Sequence, residues 1–188
     1  MSWKVDNSHS HVQFAVRHMM VSTTRGHFDK FTVDADINEN DPTQSRVDVT
    51  IDVTSLSTRD DKRDAHLHSP DFFHAQEYPV IKFKGTRGER IDDKHGKMYG
   101  DLTIRDVTKE VVLDVEYLGQ AKSPWGSTSA GFTAHTKINR KDFGLTWNVG
   151  LETGGFLVGD EVKIEIEIEF TKVPAAAPVA EPAVAVTA

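Results

Sequence analysis

Residues 162–170 read Val-Lys-Ile-Glu-Ile-Glu-Ile-Glu-Phe, the cleanest alternation of apolar and charged residues in the chain. Successive side chains of an extended strand point to opposite faces, so this period of two predicts a β-strand. One face of the strand is apolar and the other is nearly all glutamate. The stretch therefore predicts a half-buried strand in an antiparallel sheet whose apolar face packs against a core.

The same period recurs throughout the chain on the N-terminal side of this stretch. Its apolar positions run through the ranges 12–18, 31–37, 47–53, 81–83, 100–104, 111–117 and 132–138. Gly-rich and charged turns separate these segments, and no strand alternates regularly with a helix. About eight antiparallel strands follow, which favours an all-β fold, either an up-and-down barrel or a sandwich.

The alternation breaks between Thr58 and Phe73. Residues 59–67 are rich in charged residues and predict one short helix, with Thr58 as its N-cap and acidic residues in its first turn. Pro70 predicts the end of this helix, because proline cannot continue the hydrogen-bond pattern.

Composition excludes several functions. The formal net charge is −7, from 22 Lys+Arg against 29 Asp+Glu, which argues against a nucleic-acid partner. The chain has no cysteine, so disulfides, thiolate nucleophiles and cysteine-bound metals are excluded. No apolar run approaches the roughly 20 residues of a transmembrane helix. The first residues do not resemble a secretory leader, which predicts a cytoplasmic protein.

Two regions differ in their pattern. Residues 1–172 carry the periodic segments and predict one barrel domain. Residues 173–188 are rich in alanine and proline without periodicity or bulky side chains, and predict a disordered tail.

The inward members of the strands are candidates for lining a ligand cavity. A barrel of about eight strands is either filled by its own side chains or open enough for one small ligand, and the residues alone favour the filled core. The candidates are Phe14, Val16, Val33, Val49, Ile51, Phe83, Leu102, Ile104, Leu113, Val115, Phe132, Ile164 and Ile166.

Three further residues are candidates at the ends of a cavity. His18 continues the inward face of the first strand, where its imidazole is suited to the polar head of a ligand. The segment from Arg140 to Gly155 is too Gly-rich and irregular for a long strand, and we expect it to cover one mouth of a barrel. Phe143 and Trp147 would then contact the ligand, and the indole N–H of Trp147 offers a donor.

Histidine pairs raise an alternative, a metal-dependent enzyme. His9 and His11 would share one face of a strand, and His66 and His68 form a second pair. However, spacing supplies no third ligand. The chain also has no phosphate-binding loop, dinucleotide fingerprint or Gly-x-Ser-x-Gly motif, so we predict no catalytic residue, metal site or cofactor.

Several short motifs resemble the YceI-like family, in the same order and at similar spacings from about Trp3 to Phe170. The motifs are His9-Ser10-x-Val12-x-Phe14-x-Val16-x-His18, Gly26-x-Phe28-x-x-Phe31, Arg63-Asp64-x-His66-Leu67-x-Ser69-x-Asp71-Phe72-Phe73, Tyr78-Pro79, Gly100-x-Leu102-Thr103, Val107-Thr108, Pro124-Trp125-Gly126, Gly131-Phe132 and Arg140-x-Asp142-Phe143-Gly144.

The resemblance implies an extended antiparallel lipocalin-like barrel that holds a polyisoprenoid, an isoprenoid quinone or a fatty amphiphile without catalysis. It favours the open cavity over the filled core, and it implies that such a lipid co-purifies with the protein. Many family members are periplasmic and many are dimers, so the resemblance allows a homodimer and leaves the compartment open. A closed-core β-sandwich that binds other proteins is the remaining alternative.

Overall fold

The structure is a computed structural model, and it describes residues 3–38, 41–124 and 126–172 of the 188-residue chain. The described part contains eleven strands and one α-helix. The strands are β1 (Trp3–Val5), β2 (His11–His18), β3 (Ser22–Phe28), β4 (Phe31–Asp36), β5 (Arg46–Asp52), β6 (Leu56–Ser57), β7 (Val80–Arg90), β8 (His95–Ile104), β9 (Val107–Lys122), β10 (Thr128–Asn139) and β11 (Val158–Lys172), and the helix is α1 (Asp61–His68).

All strands belong to one antiparallel sheet in the order β4-β5-β7-β8-β9-β10-β11-β2-β3-β6. Strand β1 pairs with the end of β11, where Val5 lies opposite Phe170, just beyond the part of β11 that pairs with β2. In β11 the residues that face inward are half-buried or buried, and Lys163, Glu165 and Glu167 between them are exposed. The alternation in the sequence therefore corresponds to the inner and outer faces of the sheet.

The sheet curls because its two ends are joined by a two-residue link. Strand β3 lies near one end of the strand order and runs through Asp29 and Lys30 into β4 at the other end. Three peptide units span at most about 11 Å, so the two ends must meet at this corner. The Lys30 N–H donates to Ser55 Oγ at 3.0 Å and the Asp29 N–H donates to the Ser55 carbonyl at 3.2 Å, which fixes the corner.

Farther from this corner, side-chain packing replaces strand pairing. Trp3 of β1 packs in one cluster with Val33, Ala35 and Ile37, which lie on or just after β4. The result is a curled antiparallel barrel with a hydrogen-bonded wall on most of its circumference. The predicted all-β, lipocalin-like barrel with one short helix is confirmed.

The strand count is higher than the eight that the sequence predicts. Strands β1 and β6 have three and two residues, too short to show a period. Strand β3 reads Ser-Thr-Thr-Arg-Gly-His-Phe and has no apolar alternation, because much of its inner face is occupied by small residues. Strand β3 forms because it pairs with β2, where Val16 lies opposite Thr24 and Phe14 lies opposite Gly26.

The predicted helix exists, but the prediction of Thr58 as its N-cap is wrong. Asp60 is the N-cap, and its carboxylate accepts from the N–H groups of Lys62 at 3.1 Å and Arg63 at 3.0 Å. Thr58 is buried instead, and both its N–H and its hydroxyl donate to the carboxylate of Asp64. Asp60 caps the helix because it directly precedes the first turn and has an extended conformation.

The tail 173–188 lies outside the described residues. Within the described ranges, no helix has both the length and the apolar character that a membrane span requires.

Candidate functional site

The curled sheet encloses a cavity of about 700 Å³. Its wall consists of the inward side chains of β1 to β5 and β7 to β11, which are mostly aliphatic and aromatic. A volume of this size lies within the usual range for small-molecule sites, about 300–1,000 Å³. The inward side chains therefore surround space and do not meet in the middle.

The structure places all but three of the predicted lining residues at this wall. They are Phe14, Val16, Val33, Val49, Ile51, Phe83, Leu102, Ile104, Leu113, Val115, Phe132, Ile164 and Ile166. Their contact with a ligand stays a prediction. Cross-strand neighbours explain why they converge, because Ile164 lies opposite both Phe14 of β2 and Thr136 of β10.

One end of the cavity is closed by helix α1 and the segments around it. Leu67 of α1, Phe72 and Phe73 after it, and Leu145 after β10 all line the cavity at this end. Phe72 and Leu145 are only 6% and 5% exposed, so little of either side chain reaches solvent. The ring of Phe73 packs edge-on against Phe28 at 6.2 Å between centroids. We call these four residues the floor.

Arg140 holds the floor from beneath. Its side chain is buried, and its guanidinium donates to the carbonyls of Leu145 at 2.6 Å, Trp147 at 2.9 Å and Gly159 at 2.9 Å. Asp160 lies 3.5 Å away as its charge partner. Burial lowers the pKa of the Arg140 guanidinium, and the Asp160 carboxylate opposes that shift. The planar guanidinium donates in several directions at once, so it fixes the irregular chain between β10 and β11.

Three residues that were expected to contact a ligand lie outside the cavity wall, and they are His18, Phe143 and Trp147. His18 is the last residue of β2, opposite Ser22 and Val158, and it lies beyond the cavity because the strand ends there. Phe143 is 2% exposed and belongs to the packed core, as part of the short 3₁₀ turn Arg140–Phe143. None of these three is part of the cavity wall.

Trp147 lies on the outer side of the floor. Its ring contacts the rings of His66 at 4.6 Å and Phe72 at 5.4 Å between centroids. His66 also contacts the carboxylate of Asp71 at 2.9 Å. Trp147 therefore joins the segment after β10 to helix α1, and it supports the floor without reaching the interior.

The opposite end of the cavity is polar and exposed. Asn38 and Thr43 lie on one side of it, and Lys94, His95 and Gln120 lie near the turn between β7 and β8 and on β9. Lys94, His95 and Gln120 are exposed. We call this end the mouth. Sequence reasoning missed these residues because they lie in or beside turns and carry no periodic signal.

Asp92 organises the turn at the mouth. Its carboxylate accepts from the N–H groups of Lys94 and His95, each at 2.8 Å, and lies 2.9 Å from Nδ1 of His95. These hydrogen bonds, with the charge of His95, lower the pKa of Asp92 to about 2. The carboxylate is therefore ionised at neutral pH and holds the turn in one conformation.

Aromatic residues that the prediction omitted complete the wall of the cavity near the mouth. Tyr117 packs on Phe132 at 5.2 Å and Phe132 packs on Phe170 at 5.8 Å between ring centroids. Ile168 and Phe170 continue the alternation of β11 and could have been found from it. Trp3 could not be found from the sequence pattern, because the three residues of β1 are too few to show a period of two.

The two histidine pairs that raised the metal alternative lie in different kinds of elements. His9 lies in the short 3₁₀ turn Asn7–His9 and His11 in β2, so the two do not share a strand. Nε2 of His68 lies 3.1 Å from the carbonyl of Val53 and serves the packing of α1. Among the described residues, Asp6, His9 and Glu169 have ligand atoms within 4.8 Å of one another.

In that group, Asp6 already serves the backbone. It accepts from the N–H of Ser8 at 2.9 Å, and its other oxygen lies 3.0 Å from Nδ1 of His9. The hydrogen bonds from Ser8 and His9 lower the pKa of Asp6 to about 2, and its carboxylate raises the pKa of His9. The arrangement is that of a capped turn next to β11.

Comparison with known proteins identifies the family to which this fold belongs. The model of the YceI-like domain matches residues 3–170. A UPF0312 protein of Staphylococcus aureus is 39% identical over 167 residues, which cover 88% of this chain and 95% of that protein.

Two solved structures share the fold. The YceI protein of Campylobacter jejuni is 34% identical, with a TM-score of 0.72, and the match covers 84% of this chain and 90% of that protein. A polyisoprenoid binding domain from Saccharophagus degradans matches with a TM-score of 0.64 over 93% of this chain and 99% of that domain, at 16% identity, a likeness of fold alone. The chain belongs to the YceI-like family.

Proposed function

We propose that this protein binds one long apolar molecule in its barrel, with the chain of the ligand in the cavity and its polar end at the mouth. The observation that carries the proposal is the cavity of about 700 Å³, lined by inward aliphatic and aromatic side chains. Its polarity changes along the barrel axis. The floor consists of apolar side chains, of which Phe72 and Leu145 are buried, whereas the mouth has the exposed residues Lys94, His95 and Gln120.

Burial supplies the binding energy. Apolar surface contributes about 25 cal/mol per Å² removed from water, so a ligand that buries a few hundred Å² gains several kcal/mol before ordering costs. No particular polar contact is needed along the wall. The site therefore suits molecules defined by a long hydrocarbon chain, which are polyisoprenoids, isoprenoid quinones and fatty amphiphiles.

The related folds support the same class of ligand. The Saccharophagus degradans domain is a polyisoprenoid binding domain, and its match covers 93% of this chain. Membership of the YceI-like family extends that argument to residues 3–170. We propose a carrier or sequestering protein that does not change its ligand chemically. Cytoplasmic localisation stays a prediction of the sequence, and a homodimer stays what the family resemblance allows.

The open cavity argues against the closed-core interaction module. A metal-dependent enzyme is also less well supported, because His66 and His68 contact Asp71 and Val53 in the packing of α1.

Extraction of the purified protein with organic solvent, followed by mass spectrometry, tests the proposal. We expect a lipid with a long hydrocarbon chain at close to one molecule per protein. The proposal would be contradicted by protein that is repeatedly lipid-free and also fails to bind cis-parinaric acid, a fluorescent fatty acid.

A further inference from the structure

We infer that this protein docks on the surface of an anionic lipid bilayer through an apolar patch at the floor end of the barrel. The inference goes beyond the proposed function and does not depend on what the cavity binds. The patch, which we call the tip patch, consists of exposed side chains on the tips of two hairpins, and its members are Met19, Met20, Val21, Val149 and Phe156.

The two hairpin tips lie side by side. One tip joins β2 to β3, and the other belongs to the short hairpin that precedes β11. The N–H of Met19 donates to the carbonyl of Leu157 at 2.8 Å, and the N–H of Leu157 donates to the carbonyl of Val149 at 2.9 Å. Leu157 directly precedes Val158, whose carbonyl accepts from Arg140. The tip patch is therefore one surface, and it lies at the floor end of the barrel.

The exposure of the tip patch is unusual for this chain. Met20, Val21 and Phe156 are 70%, 80% and 58% exposed. The patch holds five of the seven large hydrophobic side chains that are exposed within the part of the chain that the structure describes. Together they present roughly 500 Å² of apolar surface, and contiguous patches of more than a few hundred Å² mark interaction sites.

Folding does not require methionine at the tip of the first hairpin. The N–H of Val21 donates to the carbonyl of His18 at 3.2 Å, and Met19 and Met20 between them have φ angles of 50° and 62°. This left-handed conformation suits the two-residue turns of hairpins, in which Asn and Gly are the usual residues. Both methionines are therefore strained and exposed at once, which indicates a role outside the packing of the chain.

The hairpin that carries this tip is basic within an acidic chain. Residues 7–28 contain no Asp or Glu, although the net charge of the chain is −7. Arg17 and Arg25 are exposed on the outer face of the hairpin. The adjoining residues 143–159 contain a single acidic residue, Glu152. An apolar tip with cations behind it complements a bilayer whose surface carries anionic head groups.

The size and shape of the tip patch favour a bilayer over a second copy of the chain. A stable dimer usually buries about 800 Å² on each partner, which is more than this patch offers. Hairpin tips project from the barrel, and methionine side chains are flexible, so they can enter the boundary between head groups and acyl chains without a matching surface. Docking at the floor end leaves the mouth accessible.

Co-sedimentation with vesicles tests the inference. The full chain would be mixed with vesicles of phosphatidylcholine alone or with vesicles of equal parts phosphatidylcholine and phosphatidylglycerol. We expect a partition coefficient at least about tenfold higher for the anionic vesicles, because cations at a membrane surface are attracted by anionic lipids. Arg17→Gln should lower binding to the anionic vesicles about threefold or more.

A polar tip should abolish docking. In the double variant Met20→Ser and Val21→Ser, we expect binding to anionic vesicles to fall at least about tenfold, because two apolar side chains no longer enter the bilayer. The matched control is the double variant Ile91→Ser and Leu118→Ser. Both of these residues are 57% exposed and lie outside the tip patch, so the control should bind like the wild type.

The outcomes separate docking from ligand binding. The inference is wrong if the wild type does not bind anionic vesicles, if it binds neutral vesicles equally well, or if the polar tip variant binds as the wild type does. A wild-type dimer that the polar tip dissociates, without binding to vesicles, would assign the patch to a second copy and also overturn the inference. The polar tip variant should still bind cis-parinaric acid without vesicles, and loss of that binding in the wild type would concern only the proposed function.

Discussion

The ring of Phe14 lies against the backbone of Gly26, its cross-strand partner in β3. A methyl group added at Gly26 would overlap Cζ of Phe14, because the two would lie closer than real atoms approach. Phe14 also packs on Phe28 at 5.7 Å between ring centroids and lines the cavity. Glycine at position 26 therefore leaves room for the Phe14 ring at the wall of the barrel.

This contact predicts the effect of Gly26→Ala. The added methyl group must push the Phe14 ring from its position, and we expect a loss of about 1–3 kcal/mol in the free energy of unfolding. Urea denaturation measures it. Gly131→Ala is the control, because a methyl group there would contact Leu118 at an ordinary 3.5 Å. Equal effects of the two substitutions would show that the Phe14 contact is not tight.

A charge on the wall of the cavity should abolish binding. Ile164 faces the interior, so in Ile164→Lys we expect affinity for cis-parinaric acid to fall at least about tenfold, because a buried ammonium needs water or a partner. Glu165→Lys adds a cation on the exposed outer face of the same strand and should bind normally.

Since Ile164→Lys can also weaken folding, Ile164→Trp serves as a second variant that fills space without charge. It too should reduce binding of cis-parinaric acid. Normal binding by a folded Ile164→Trp would contradict an internal site.

Arg140 should be needed for stability. Arg140→Lys removes several donors at once, because an ammonium cannot reproduce the fork of the guanidinium, and buried carbonyls lose their partners. We expect the free energy of unfolding to fall by about 2–4 kcal/mol in urea denaturation. Lys141→Met, which breaks the exposed pair with Asp160, should cost no more than about 1 kcal/mol. A wild-type midpoint in Arg140→Lys would refute the role of Arg140 in the floor.

Acid should weaken the turn at the mouth. The folded-state pKa of Asp92 is lowered from 3.8 to about 2, so its contribution is complete above the unfolded pKa and is lost as the pH falls towards 2. We expect the Tm difference between wild type and Asp92→Ala to be largest near neutral pH and to shrink below about pH 4. A difference that is independent of pH would show that the ionised carboxylate does not stabilise the turn.

The sequence predicted most of the wall because one physical rule governs it. Half-buried strands expose a period of two, and that period placed residues such as Phe14, Leu113 and Ile164 on the inner face. The lengths of the strands and their register in the sheet were harder to predict. Strand β3 owes its place to pairing with β2, and its small residues make room for Phe14, so no apolar pattern marks it.

The two ends of the cavity could not be predicted in this way. The floor brings Leu67, Phe72 and Leu145 together from irregular segments that are distant in sequence, and the buried Arg140 organises them through backbone carbonyls. Trp147 was expected to contact the ligand at a barrel mouth, but its ring packs outside the floor against His66. Periodicity contains no information about such contacts.

A crystal structure of the protein bound to geranylgeraniol would show whether the interior of the barrel is the binding site. We expect continuous density for one extended chain from Phe73 at the floor to Lys94 at the mouth, between Leu113 and Ile164. Inward side chains that meet in the middle of the barrel, with the prenol absent or bound on the outer surface, would contradict it.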